Sequence, residues 1–137
     1  MTRVRFYTDV ADPLGLTRHL LQQSLVRQRQ VTLFLPDQLA AQTLSDGLWA
    51  GDGFLPNALA DEVVAPQTPV QLAWLPEHIV QDDLLFNLQP VQPLFFGRFR
   101  HLFEIVGVDA ADKQAGRQRY AFYRDRGYEI QHMNMQG

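Results

Sequence analysis

Near the end of the chain, Lys113, Arg117, Tyr120 and Arg124 are spaced four, three and four residues apart. On a helix turning about 100° per residue, those steps return to one face, so the four form a stripe of three cations with one aromatic ring. Ala111, Ala115 and Phe122 fall on the opposite face. The small and apolar side is predicted to lie against a sheet, with the basic stripe facing out. Cations around a tyrosine suit a peptide that ends in a hydrophobic residue and a free carboxylate, because a guanidinium takes a carboxylate through two parallel hydrogen bonds. The same pattern also fits a solvated helix face carrying one amphipathic tyrosine.

A second constellation is Leu48-Trp49 followed by Phe54-Leu55-Pro56, large side chains flanking a loop with two glycines. Aromatic residues on loops anchor partner proteins, or close as a lid over the core. Glu77, His78, Asp82 and Asp83 are the best set for a divalent ion or proton transfer. They follow Pro76 and equally describe a solvated turn between strands. His19, His101 and His132 are scattered, with no ligand spacing. No phosphate-cradling glycine loop follows the first strand, which runs into Val10-Ala11-Asp12-Pro13, and there is no nucleophile elbow. No catalytic group, metal or cofactor is therefore assigned. A small nucleotide-using α/β enzyme of unknown reaction is the alternative to a binding module, and that glycine-free junction is the feature that disfavours it.

The elements that must position these residues alternate. Val4 to Thr8 reads as a strand. A helix opens at Pro13 behind an Asp12 cap, with Leu16, Leu20, Leu21 and Leu25 on one face. Val31 to Leu35 is nearly continuous in apolar residues, as in a strand covered on both faces. A second helix runs from Pro36-Asp37 to about Trp49, and Gly51 to Pro69 reads as loop. Val70 to Trp74 and Asp83 to Leu88 read as strands. Phe95, Phe99 and Phe103 predict a helical turn leading into a strand at Phe103 to Val106. A helix from Asp109 to Arg126 stops at Gly127, before a last strand at Tyr128 to Met133. This order predicts one domain over residues 1–137, a three-layer α/β/α sandwich on a mainly parallel sheet, Rossmann-like without the dinucleotide motif.

The chain has 137 residues, 46% hydrophobic and 20% charged, with no cysteine, which excludes disulfides and thiolate chemistry. No apolar run approaches the roughly 20 residues of a membrane span and the N-terminus lacks a signal-peptide core, so a cytoplasmic protein is expected. The net charge of −3 argues against a broad nucleic-acid-coating surface. The charge is uneven: from Gly97 onward seven Lys/Arg face five acids, whereas before it five face ten.

The run from Leu48-Trp49 through Phe54-Leu55-Pro56 to Leu59-Ala60, with Pro69-Val70 and Ala73-Trp74, resembles the chi-subunit family of DNA polymerase III. So do Phe6-Tyr7, the segment Asp83 to Leu88, Phe103-Glu104-Ile105-Val106, and Arg117-x-Arg119-Tyr120-x-x-Tyr123 with Gly127, all in collinear order. The resemblance implies a non-catalytic accessory subunit that bridges the clamp loader to single-stranded-DNA-binding protein by gripping that protein's acidic C-terminal tail, which ends in phenylalanine. It further implies a surface for a psi subunit or psi-like protein. By position, the tail site would include Lys113, Arg117 and Tyr120, with Arg124 completing the stripe, and the partner surface would include Trp49, Phe54 and Pro56. No sequence-specific nucleic-acid contact and no membrane partner are expected.

Overall fold

The computed structural model describes residues 1–50, 55–62, 65 and 68–136. Seven strands form one sheet: β1 (Arg3–Val10), β2 (Val31–Phe34), β3 (Ala58–Leu59), β4 (Val70–Ala73), β5 (Leu84–Asn87), β6 (His101–Gly107) and β7 (Ile130–Asn134). Their order is β3-β4-β2-β5-β6-β1-β7, and every pairing is parallel. Among the described residues three α-helices cross between strands: α1 (Pro13–Val26), α2 (Gln38–Trp49) and α3 (Ala110–Asp125).

All three helices start by the same device. The carboxylates of Asp12, Asp37 and Asp109 accept from the backbone N–H of Gly15, Ala40 and Asp112 at 3.0, 2.8 and 2.8 Å. Each thereby satisfies a donor that the first turn leaves unpaired. At the far end of α3, Gly127 takes φ 84°, the left-handed turn that stops the helix.

Period-two alternation sorts the strands onto two cores. Tyr7, Leu33, Leu72, Phe86 and Ile105 face α1 and α2. Phe6, Phe34, Leu85, Leu102 and Val106 face α3 and the short helical turn Phe96–Arg98. β2 lies inside the sheet and all four of its residues are buried, as the continuous apolar run required. The three-layer parallel architecture is thus as expected. Details differ: β6 begins at His101, two residues earlier than read, β7 begins at Ile130, two residues later, β1 extends to Arg3 and Val10, and the short edge strand β3 lies within the stretch read as loop.

The expected orientation of α3 is corrected. The face turned to the sheet carries Gly116, Arg119 and Tyr123, whereas Ala111 is exposed and Ala115 and Phe122 are only partly covered. The reason is a carboxyl group on the neighbouring strand. Glu104 points from β6 into this layer with 0% exposure, and Arg119, 2% exposed, donates to it from Nε at 2.8 Å. The Tyr123 hydroxyl and the Asn87 amide donate to the other carboxyl oxygen at 2.5 and 2.9 Å. Burial pushes the Glu104 carboxyl above its usual range, against the pull of Arg119, Tyr123 and Asn87, and it pushes the Tyr123 phenol up as well, so that hydroxyl keeps its proton and donates. Arg119 also donates to the Pro90 carbonyl at 2.9 Å, tying the loop after β5 to α3.

Removing one member of a buried pair strands the other charge, at a cost of about 3–5 kcal/mol. Arg119→Ala should therefore lower unfolding free energy in urea by about that much. Tyr123→Phe, which removes one hydrogen bond to a charged group, should cost about 1.5–3 kcal/mol. Equal, near-zero losses in both variants, with unchanged denaturant slopes, would show that the network is dispensable.

Candidate functional site

β1 feeds α1 on one face of the sheet, and the adjacent β6 feeds α3 on the other. Their carboxyl ends therefore part to opposite sides, the place where open α/β sheets form a crevice. A groove of about 290 Å³ lies there, between α3 and the ends of β6, β1 and β7. Phe6, Val106 and Tyr120 give it an apolar surface, and Lys113 and Arg117 give it charge. The Tyr120 ring meets Phe6 edge-on at 5.1 Å and faces His132 at 6.4 Å. Thr8 and His132 are joined at 2.6 Å across β1 and β7.

The groove exists because α3 approaches β6 closely at Gly116. A Cβ added there would come within 2.7 Å of a Val106 methyl, closer than real contacts allow. Glycine at this position is a packing requirement that also opens the groove floor.

The two lysine and arginine positions differ electrostatically. Lys113 is bound by Asp9 at 2.9 Å, and the ammonium holds the Asp9 carboxyl below its ordinary range. Asp9 takes φ 54° and accepts a second bond from the Asn134 amide at 2.9 Å. For Arg117, exposed on the groove's rim, no carboxylate partner is found among the described residues. Of the two cations lining the groove, Arg117 is thus the one left without a carboxylate among the described residues. Arg124 lies a turn beyond the groove, exposed and paired with Asp125 at 3.2 Å. Burial of Arg119 together with Glu104 removes one charge of each sign, so the basic excess of the last third persists at the surface.

Lys113, Arg117 and Tyr120 are therefore brought around one hollow, and Arg124 is not among its lining residues. Sequence reading missed Asp9, Thr8, His132 and Asn134. The only signal for them is positional, the carboxyl ends of neighbouring parallel strands. At the end of α2, Trp49 is 49% exposed and Pro56 is exposed between buried Leu55 and Asn57, whose amide oxygen accepts from Ser45 at 2.6 Å. Phe54 lies outside the described residues.

The Glu77–Asp83 cluster is dispersed. His78 Nδ1 accepts from the backbone N–H of Leu75 and Trp74 at 3.3 and 3.4 Å, capping the turn Pro76–His78, while Asp83 pairs with Arg29 at 2.9 Å. Among the described residues no group of His, Asp or Glu is placed to hold a metal, and no helix is long and apolar enough to cross a membrane.

A wholly parallel α/β sheet flanked by helices, with a groove lined by cations and an aromatic ring at its strand ends, defines the class as an α/β fold of the open parallel type. The profile of the family described as "DNA polymerase III chi subunit, HolC" matches residues 1–131. The chain is 34% identical to the DNA polymerase III subunit chi of Pseudomonas aeruginosa, over 96% of this chain and 95% of that one. It is 30% identical to the Haemophilus influenzae subunit chi, over 78% and 76%, and 29% identical to that of Escherichia coli, over 74% and 71%. The chain belongs to the DNA polymerase III chi-subunit family, a family of accessory subunits of DNA replication.

Two glycines give a paired test of the packing that shapes the groove. Gly116→Ala forces α3 against Val106 and should cost about 1–3 kcal/mol in chemical denaturation. Gly47→Ala, inside α2 with nothing within 4 Å of the new methyl, should stabilise by about 0.5–1 kcal/mol. A neutral Gly116→Ala would mean that α3 can lift from β6 without penalty.

Proposed function

We propose that this chain is a non-catalytic accessory subunit of the clamp-loader complex. Its α3 groove grips the acidic C-terminal tail of single-stranded-DNA-binding protein, and the surface at the end of α2 holds a psi-like partner. The observation that carries the reading is the convergence of Arg117, Lys113 and Tyr120 on a hollow with an apolar floor. A terminal phenylalanine packs between Tyr120, Phe6 and Val106, and its carboxylate is taken by the Arg117 fork. Acidic residues upstream meet Lys113, whose charge is shared with Asp9. Family membership supports the reading, because a replication subunit needs contacts with other replication proteins.

The internal Asp9–Lys113 pair ranks the variants. Arg117→Ala should weaken a fluorescein-labelled tail peptide about ten- to a hundredfold, the loss expected for a charge-assisted bond. Lys113→Ala should cost less, because Asp9 already neutralises that ammonium. Asp9→Asn keeps an acceptor for Asn134 and a residue type that tolerates positive φ, and it should strengthen binding several-fold. Deleting the terminal phenylalanine should hurt at least as much as Arg117→Ala, and Arg5→Ala should change nothing. Anisotropy titrations of folded variants decide the matter, and unchanged affinity in Arg117→Ala would remove the groove from consideration.

For the second surface, Trp49→Ala should weaken a psi-like partner by roughly tenfold or more, as expected for an aromatic anchor. The fold should remain intact by thermal melting. A variant that simply unfolds would make Trp49 a core residue.

A further inference from the structure

At the opposite, amino-terminal ends of the same strands lies a second charged region that the tail reading does not use. Arg3 and Arg5 project from one face of β1, in register with His101 and Phe103 of β6, and Arg5 is also in register with Gln131 of β7. Two adjoining hollows, of about 530 and 90 Å³, share Arg5, His101 and Phe103. Arg3 and Glu129 line the first, and Arg27 and Arg29 line the second. Four of the five basic residues that precede Gly97 thus meet in one place, although that part of the chain is acidic overall.

Arg5 is the informative residue. It is half-buried on a sheet face, and its guanidinium is held by neutral groups: Gln131 at 3.2 Å, the Tyr7 hydroxyl at 3.3 Å, and the Phe103 ring, whose centre lies 5.2 Å away. Among the described residues no carboxylate pairs with Arg5, Arg3 or Arg27, whereas Arg29 is paired with Asp83. Among the described residues Glu129 is the one acid lining these hollows, so the balance is positive. The same surplus helps burial to hold the His101 imidazole below its ordinary range. A partly desolvated cation without a counter-ion is costly unless a ligand supplies the negative charge.

We propose that this face binds the sugar-phosphate backbone of a short stretch of single-stranded nucleic acid, without reading its sequence. The cations are all arginines, whose planar forks fit phosphate oxygens, and they surround an aromatic ring, Phe103, that lines both hollows. A cationic surface with an aromatic ring is the composition that single-strand sites use. The patch spans a few phosphates only, which is compatible with a net charge of −3. Arg5 and Asp9 are four residues apart on β1, roughly 13 Å at the usual rise of about 3.3 Å per residue, so strand and tail peptide would occupy opposite ends of the same strands together.

The test is anisotropy of a fluorescein-labelled thymidine homopolymer of about 20 nucleotides, titrated with the full chain at about 50 and 200 mM salt. About three phosphate contacts predict a slope near −2, roughly a 15- to 20-fold loss over that range. Arg3→Gln/Arg5→Gln should weaken binding about tenfold and reduce the slope, and Arg117→Ala should leave it unchanged. Should the double variant fail to fold, Arg27→Gln, at an exposed site, should still weaken binding. Absence of strand binding by the wild type, loss of binding in Arg117→Ala instead, or equal affinity for polyglutamate would each overturn the proposal. The last result would make this an acidic-peptide surface. None of these outcomes bears on tail binding, which is read with its own peptide.

Discussion

The buried carboxyl of Glu104 governs how the most informative helix of this protein sits. A carboxyl group enclosed between sheet and helix is tolerable only if donors reach both of its oxygens. Arg119 and Tyr123, four residues apart on α3, and Asn87 at the end of β5 supply them. Because Arg119 must turn inward, Arg117, about 200° away around the helix, must turn outward. Tyr120 and Lys113 then fall on the flank between, over the ends of β1 and β7. The groove is thus a consequence of a polar anchor that lies beside it and lines no part of it.

Strand direction supplies the second constraint. With seven parallel strands, one edge of the sheet collects every amino end and the other every carboxyl end. The right-handed crossovers leaving β1 and β6 in opposite directions place α1 and α3 on opposite faces and open the crevice at the carboxyl ends. Of the arginines at the amino-terminal edge, Arg3 and Arg5 lie on β1 beside β7, and Arg27 and Arg29 lie at the end of α1 toward β5. The exposed end of α2, with Trp49 and Pro56, is a third region, on the α1 face but toward the β3–β4 edge of the sheet. One small domain can therefore offer separate surfaces without enclosing a cavity, which suits a family whose members are subunits of a larger machine.

Electrostatics inside the groove temper the impression that charge counting gives. A stripe of three cations becomes one shared with Asp9, one paired with its neighbour Asp125, and one, Arg117, left to the rim.

Much of the fold was legible in the sequence. Asp-capped helix starts, the nearly continuous apolar run Val31 to Leu35, the Gly127 stop and the glycine-free first junction are local signals, each fixed by the chemistry of a few neighbouring residues. Periodicity also placed Lys113, Arg117 and Tyr120 on one side of α3. It could not decide which side turns inward, and small, apolar Ala111, Ala115 and Phe122 were the natural choice. That choice failed because burial of a charged side chain depends on whether a partner waits for it, and Glu104 lies 15 residues away on another element. The pairing of Asp9 with Lys113, and of Asp9 with Asn134 across 125 residues, is likewise invisible in one dimension. The sequence by itself determined the elements, their order and the composition of each face. Only the tertiary structure decided which charges cancel and which remain for a ligand, because Coulomb attraction and desolvation depend on distances between strands that the chain order does not contain.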